Sequence, residues 1–232
     1  MKIQTLSVVA ALTASIAANP SQAQSESRLV RNLDSGKKQV VVAYGTSLTQ
    51  GGAWVAQLAG ALNEKYPGLA TVVNSGGSGR WSDWGVKNVD AMVVQKKPDA
   101  VFIEFAINDS VARFNCTVDR ARTNLVTMIT AIQKGNPDCE IVLMTMTPGD
   151  KHPEGHASHR RNINAYYDMY RAVAKERGFI LVDHYPVWKA LQAKDSALFT
   201  QYVPDSIHVS AAGCSEVITP AILKALGISP PR

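Results

Sequence analysis

Apolar and polar positions along this chain alternate between two patterns. In the first, short continuous apolar runs, most of them rich in β-branched residues, are bounded by charged, proline or glycine-containing turns. Such runs are typical of strands that are buried on both faces of a parallel sheet. The predicted strands cover 39–45, 70–74, 100–105, 141–146 and 179–182.

In the second pattern, apolar residues between these runs recur at the spacing of a helix face. The predicted helices cover 54–62, 82–96, 117–134 and 162–177, and a last helix begins at Ser210. Strands that alternate with helices in this way indicate an α/β fold with a doubly wound, five-stranded parallel sheet.

The first part of the chain differs from the rest. Residues 1–23 begin with Met1-Lys2, continue through an apolar run and end in small residues, as a secretory signal peptide does. We therefore expect an exported protein, secreted or periplasmic, that begins near Gln24. Residues 24–38 are polar and are expected to form a loosely held arm before one domain over 39–232. No later segment approaches the roughly 20 apolar residues of a membrane-spanning helix, so we expect no stable membrane insertion.

The formal net charge of +5 is small for a chain of 232 residues. The chain has no dense basic stripe of the kind found in nucleic-acid-binding proteins, although its small positive charge suits an anionic substrate. No phosphate-binding or dinucleotide-binding glycine motif is present, and we expect no cofactor. Oligomeric state is not predicted.

Three cysteines permit at most one internal disulfide bond. Cys116 follows one predicted strand and Cys214 begins the last helix, which places both at the carboxyl rim of the sheet. A Cys116–Cys214 bridge is one expectation, and three free, mostly buried thiols are the alternative.

Polar residues follow the predicted strands at their carboxyl ends. These residues are Ser47, Ser78-Gly79, Asn108-Asp109 and the loop 147–161. In a parallel sheet such clusters meet at one rim, where ligands bind. Ser47 alone is equally explained as the cap of a helix.

A serine hydroxyl needs a neighbouring base to become a nucleophile, and the base needs a group that fixes its tautomer. His208 is the candidate base, because Asp205 lies three residues earlier in a short turn. The amides of Ser47 and Gly79 and the side chain of Asn108 are candidate donors for an oxyanion hole.

These residues fall in four blocks whose order resembles the SGNH (GDSL-like) hydrolases. The blocks are Gly45-Thr46-Ser47-Leu48, Asn74 with Ser78-Gly79, Ala106-Ile107-Asn108-Asp109 and Asp205-Ser206-Ile207-His208. The resemblance implies a three-layer α/β/α sandwich with a flavodoxin-like strand order. It also implies that Ser47 is the nucleophile, His208 the base and Asp205 its orienting acid, with Ser47, Gly79 and Asn108 forming the oxyanion hole. Thr46 stands where the commonest form of the family's first block has an aspartate. Ala106 stands where the third block usually has a glycine.

Substrate contacts are expected from residues beside these blocks, namely Trp81, Thr46, Asp109 and His152. Three histidines within 152–159 suggest a metal site, but Pro153 and Gly155 disfavour the helix that would pair them as ligands.

The loop 147–161 is polar, and no long apolar run offers a groove for an acyl chain. The leading hypothesis is an exported esterase that removes acetyl groups from carbohydrates. The alternatives are a lysophospholipase, thioesterase or arylesterase for longer acyl chains, and a non-catalytic glycan-binding module.

Overall fold

The computed structural model describes residues 27–229, and the predicted signal peptide lies outside them. Five strands form one parallel sheet in the order β2-β1-β3-β4-β5, which is the flavodoxin-like order. The strands are β1 (Gln39–Gly45), β2 (Ala70–Asn74), β3 (Ala100–Glu104), β4 (Glu140–Thr145) and β5 (Ile180–Asp183). Each lies within two residues of its prediction.

Helices cover both faces of the sheet. The longer ones are α3 (Ala53–Lys65), α4 (Ser82–Met92), α6 (Val118–Gly135), α7 (Ile163–Arg177), α8 (Tyr185–Lys194) and α11 (Thr219–Leu226). The shorter ones are α1 (Arg28–Asp34), α2 (Ser47–Gln50), α5 (Ala106–Asp109), α9 (Ser196–Tyr202) and α10 (Ala211–Gly213). A π-helical turn, Cys214–Ile218, joins α10 to α11.

Two sets of helices form the outer layers. Helices α3 and α11 pack together on one face, and α4, α6 and α7 pack on the other. Aromatic residues fill both interfaces: Trp54 of α3 contacts Phe102, while Tyr44 contacts Trp84 of α4. The three-layer α/β/α architecture is therefore confirmed, and Trp54 belongs to the core.

The expectation of a loosely held arm is wrong for the part of 24–38 that the structure describes. Helix α1 begins after Ser27, whose hydroxyl donates to Glu140 at 2.6 Å and accepts from the Val30 amide. Leu29, Val30 and Leu33 are buried against the domain, so this segment is part of the core.

The predicted helix 82–96 is interrupted, because α4 ends at Met92 and a 3-10 turn follows over Val94–Lys96. Helices α8 and α9 were not predicted. Within residues 27–229, no helix is both long enough and apolar enough to cross a bilayer.

Candidate active site

Ser47 is the first residue of α2, directly after β1. The N-cap is Thr46, whose side-chain oxygen accepts from the Leu48 amide at 3.2 Å. At the first position of a helix, the Ser47 amide has no intrahelical partner and is free for a ligand. The turn that follows β1 thus presents both a hydroxyl and an amide at the carboxyl rim of the sheet.

His208 reaches Ser47 from the far end of the chain. Its Nε2 lies 2.9 Å from Ser47 Oγ, and its Nδ1 lies 2.6 Å from Asp205 Oδ2. An ionised carboxylate can only accept, so Nδ1 carries the proton and Nε2 is free to accept from the serine hydroxyl. The structure therefore brings together the three residues that sequence analysis selected for nucleophile, base and orienting acid.

Backbone amides hold the Asp205–His208 turn in shape. Asp205 Oδ1 accepts from the amides of Ile207 at 3.0 Å and His208 at 2.6 Å, and Ser206 adopts a left-handed φ of 66°. Partial burial of Asp205 raises its pKa, but the hydrogen bonds from His208 and Ile207 outweigh this effect and leave the pKa below its usual value. Asp205 is thus kept ionised beside the imidazole.

The three candidate oxyanion donors come from adjacent strand ends. Gly79, after β2, has a φ of 68°, a conformation that favours glycine. Asn108, after β3, donates one side-chain hydrogen bond to the Arg80 carbonyl at 2.8 Å, which joins it to the loop that carries Gly79. The second hydrogen on Asn108 Nδ2 is left for a ligand. Ala106, which replaces the usual glycine, is buried in the core beneath this loop.

Two expected substrate contacts are wrong, because Thr46 and Asp109 lie beneath the rim. Thr46 is fully buried and donates its hydroxyl to Glu104. Asp109 accepts from the Ser82 amide at 2.8 Å, and burial raises its pKa to about 7. A strand end carries side chains both toward solvent and toward the core, and the sequence did not distinguish them.

Trp81 and His152 are partly exposed at this rim. The indole of Trp81 stacks on Phe114 at 5.2 Å between ring centroids, and the Arg120 guanidinium lies over the same indole. His152 stacks on His156 at 4.2 Å. Among the described residues there is no group of three or more His, Cys, Asp or Glu side chains that could hold a metal ion.

The expected Cys116–Cys214 bridge is also wrong, since both residues, like Cys139, are buried free thiols. Cys116 precedes α6 and lies under Tyr166 of α7, whose hydroxyl donates to its carbonyl. Cys214 begins the π-helical turn that packs on α3. The two residues share a rim of the sheet but lie beside helix layers on opposite faces.

A small cavity opens beside Ser47 and His208, with a volume of about 70 Å³. Its walls are mostly apolar and come from Leu48, Trp54, Met146, Val209, Cys214 and Ile218. Sequence analysis missed these wall residues because they come from five separate segments. A larger cavity of about 420 Å³ is lined by residues at the opposite, amino edge of the sheet, such as Arg28 and Phe179. Its lining includes none of the candidate catalytic residues.

Sequence analysis also missed Glu104, a buried carboxylate under the serine turn. Burial raises its pKa to about 7, against the effect of hydrogen bonds from Thr49 and Thr46. The available signal was an acidic residue closing an otherwise apolar strand.

Comparison with known proteins gives a consistent family. The model of the GDSL-like lipase/acylhydrolase family matches residues 43–215. No curated protein matches the chain.

Several solved structures share the fold. One is described as a GDSL-like lipase from Parabacteroides merdae, at 18% identity and a TM-score of 0.73, with 83% of this chain and 97% of that chain covered. Another is Axe2, an acetylxylan esterase from Geobacillus stearothermophilus, at 22% identity and a TM-score of 0.70, with coverages of 83% and 96%. A third is LAE5, an alpha/beta hydrolase from the metagenome of Lake Arreo, Spain, at 25% identity and a TM-score of 0.67, with coverages of 82% and 96%.

Proposed function

The chain belongs to the GDSL-like lipase/acylhydrolase family, whose members include SGNH esterases, and we propose that it is an exported serine esterase that removes acetyl groups from carbohydrates. The observation that carries this proposal is the continuous hydrogen-bonded line from Ser47 Oγ through His208 to Asp205, at 2.9 and 2.6 Å. That line is the arrangement that nucleophilic acyl transfer requires.

In the proposed mechanism, Ser47 Oγ attacks the ester carbonyl carbon while His208 Nε2 takes the hydroxyl proton. Asp205 stabilises the resulting imidazolium. The negative oxygen is bound by the amides of Ser47 and Gly79 and by Asn108 Nδ2. His208 then gives its proton to the departing sugar hydroxyl, which leaves an acetyl group on Ser47. Water, deprotonated by His208, attacks this acyl-enzyme, releases acetate and restores the serine.

The relatives support the same assignment of roles. Structures of the Geobacillus stearothermophilus acetylxylan esterase include variants described as catalytic mutants, in which a serine, an aspartate or a histidine is replaced by alanine. In that esterase, as in this chain, the aspartate precedes the histidine by three positions.

The cavity beside Ser47 supports a short acyl group. Its volume of about 70 Å³ is far below the roughly 300–1,000 Å³ of pockets that enclose drug-sized ligands. A cavity this small and mostly apolar suits an acetyl methyl group better than an eight-carbon chain. This argues against the lysophospholipase and long-chain thioesterase alternatives.

Export is supported only by the composition of residues 1–23. A secreted protein whose N-terminus is Gln24 is the expected result, and an N-terminus at Met1 would contradict export.

A chain-length series of p-nitrophenyl esters, beside acetylated xylan, mannan and pectin oligomers, tests the activity. We expect the highest kcat/KM for acetyl and release of acetate from at least one of the glycans. Ser47→Ala should lower kcat by about 10⁴-fold or more, because it removes the nucleophile, while Ser215→Ala, at an exposed serine, should keep the parental rate. A maximum at eight carbons would indicate a long-chain esterase, and no turnover on any ester would indicate a glycan-binding module.

A further inference from the structure

Glu104 lies beneath the active site and takes no part in the acyl transfer described above. It is the last residue of β3, its exposed fraction is 1%, and it pairs with Gly45 in the register of the sheet. A buried carboxylate is costly unless hydrogen bonds compensate for lost hydration. Its partners therefore indicate what it does.

Within residues 27–229, the Glu104 carboxylate accepts its hydrogen bonds from the turn that carries Ser47. The Thr46 amide donates to Glu104 Oε1 at 2.6 Å, and the hydroxyls of Thr49 and Thr46 donate to it at 2.7 and 3.0 Å. These donors flank Ser47 in sequence. The carboxylate thus holds the backbone on both sides of the nucleophile.

The fit between this carboxylate and the strand is close. A Cβ atom at Gly45 would lie 2.2 Å from Glu104 Oε1, so a side chain at position 45 and the carboxylate exclude each other. Glycine at this position lets Glu104 reach across from β3 to the turn after β1.

From the same turn, hydrogen bonds continue to the loop that follows β2. The Asn74 side chain, at the end of β2, donates to the Thr49 carbonyl at 2.9 Å and accepts from the Gly76 amide at 3.0 Å. The Gly77 amide donates to the Gly45 carbonyl at 2.8 Å. The turn that Glu104 holds is therefore bonded to the loop that carries Gly79.

We propose that Glu104 is a positioning residue that keeps the three oxyanion donors in register, acting through Thr46 and Thr49. Its own strand leads into Asn108, its hydrogen bonds fix the turn of Ser47, and that turn is bonded to the loop of Gly79. This inference rests on the proposed esterase function and adds the element that sets the geometry of its oxyanion hole. A carboxyl group suits the position because its two oxygens accept several hydrogen bonds at once, and the bonds from Thr46 and Thr49 favour its ionised form.

The test replaces the carboxylate with its amide, which has nearly the same shape. Glu104→Gln presents an N–H₂ group to donors that need an acceptor. We expect kcat on p-nitrophenyl acetate to fall by about tenfold or more, with KM within about twofold, because donor placement matters in the transition state. The inhibition constant of methylboronic acid, which forms a tetrahedral adduct on the serine, should rise by a similar factor.

A second pair of variants covers the case in which Glu104→Gln fails to fold. Thr49→Val removes one donor to the carboxylate at nearly constant volume, and Thr49→Ser restores the hydroxyl. We expect Thr49→Val to lower kcat and weaken methylboronic acid binding severalfold, and Thr49→Ser to return both to within about twofold of the parent.

Asp183→Asn is the matched control, because Asp183 also ends a strand and accepts from a threonine hydroxyl, that of Thr145 at 2.6 Å. It contacts no residue of the site, so its loss should lower the melting temperature and leave kcat unchanged. The inference is overturned if Glu104→Gln or Thr49→Val keeps the parental kcat, or if kcat falls while methylboronic acid binds as before. Absence of turnover by the parent protein would instead reject the proposed function.

Discussion

At the scale of single residues, His184 carries the clearest energetic consequence. It follows β5 and is fully buried. Among residues 27–229, neither of its ring nitrogens has a hydrogen-bond partner, and the same holds for Nε1 of the nearby Trp188. Burial disfavours the charged imidazolium and lowers the pKa of His184 to about 3. The neutral ring is therefore part of the folded state.

This predicts acid sensitivity with a definite sign. Between pH 6.5 and about 3 the unfolded chain binds a proton at His184 and the folded protein does not, so stability falls as pH decreases. The largest slope from one such group is about 1.4 kcal/mol per pH unit. The buried carboxyls Glu104 and Asp109 act in the opposite direction, because burial raises their pKa values to about 7.

His184→Phe should remove this contribution while keeping a planar ring. Urea denaturation at several pH values from 4.5 to 7.5 would measure it. The free energy of unfolding of the variant relative to the parent should rise as pH falls below 6.5, a comparison in which the carboxyl contributions cancel. His156→Phe, at an exposed histidine, should show no such trend. A constant difference for His184→Phe would mean that the ring is solvated in the folded state.

At the scale of elements, α1 shows how a polar segment can belong to the core. Only Leu29, Val30 and Leu33 of its seven residues are buried, and they lie on one helix face. The spacing of these residues and the serine cap were visible in the sequence, but three apolar residues among many polar ones are a weak signal. The N-terminus of α1 is held by Glu140, a residue far away in the chain.

Leu33→Ala should lower the free energy of unfolding by about 2–5 kcal/mol, as expected for a leucine removed from a packed core. Lys37→Ala, at an exposed position just past the helix, should change it by less than about 0.5 kcal/mol. Chemical denaturation of both variants decides the matter. If the two variants have the same free energy of unfolding, packing of α1 does not contribute to the stability of the domain.

At the scale of the whole molecule, the sheet keeps apart two cysteines that were expected to meet at its carboxyl rim. Cys116 and Cys214 both lie at the carboxyl rim of the sheet, yet each packs beside a different helix layer. All three cysteines are buried free thiols, and burial raises their pKa values, with those of Cys116 and Cys139 reaching about 12. Burial and raised pKa values both disfavour the thiolate, which is the form that reacts with oxidants.

The expected result is three alkylated thiols when the non-reduced protein is unfolded and treated with iodoacetamide, as counted by intact mass. Dithiothreitol should leave the melting temperature of the folded protein unchanged. A single modified thiol, together with a melting temperature that drops on reduction, would show that a disulfide forms after all.

The sequence by itself determined the architecture and the chemical groups of the site. Continuous apolar runs are typical of buried strands, their alternation with helices indicates a parallel sheet, and such a sheet brings Ser47, Gly79 and Asn108 to one rim. His208 was selected by its spacing from Asp205 and by the resemblance to the SGNH hydrolases. Short helices such as α8 and α9, with few apolar positions, gave no comparable signal.

Tertiary structure decided which side chains at that rim face the solvent and which face the core. Thr46 and Asp109 stand next to candidate catalytic residues in the chain but are buried, and the Glu104 carboxylate reaches the serine turn only because Gly45 leaves room for it. The cavity beside Ser47 likewise exists only where five segments meet. Local pattern records the period of a strand or helix, whereas burial and hydrogen bonding at a strand end depend on residues distant in sequence.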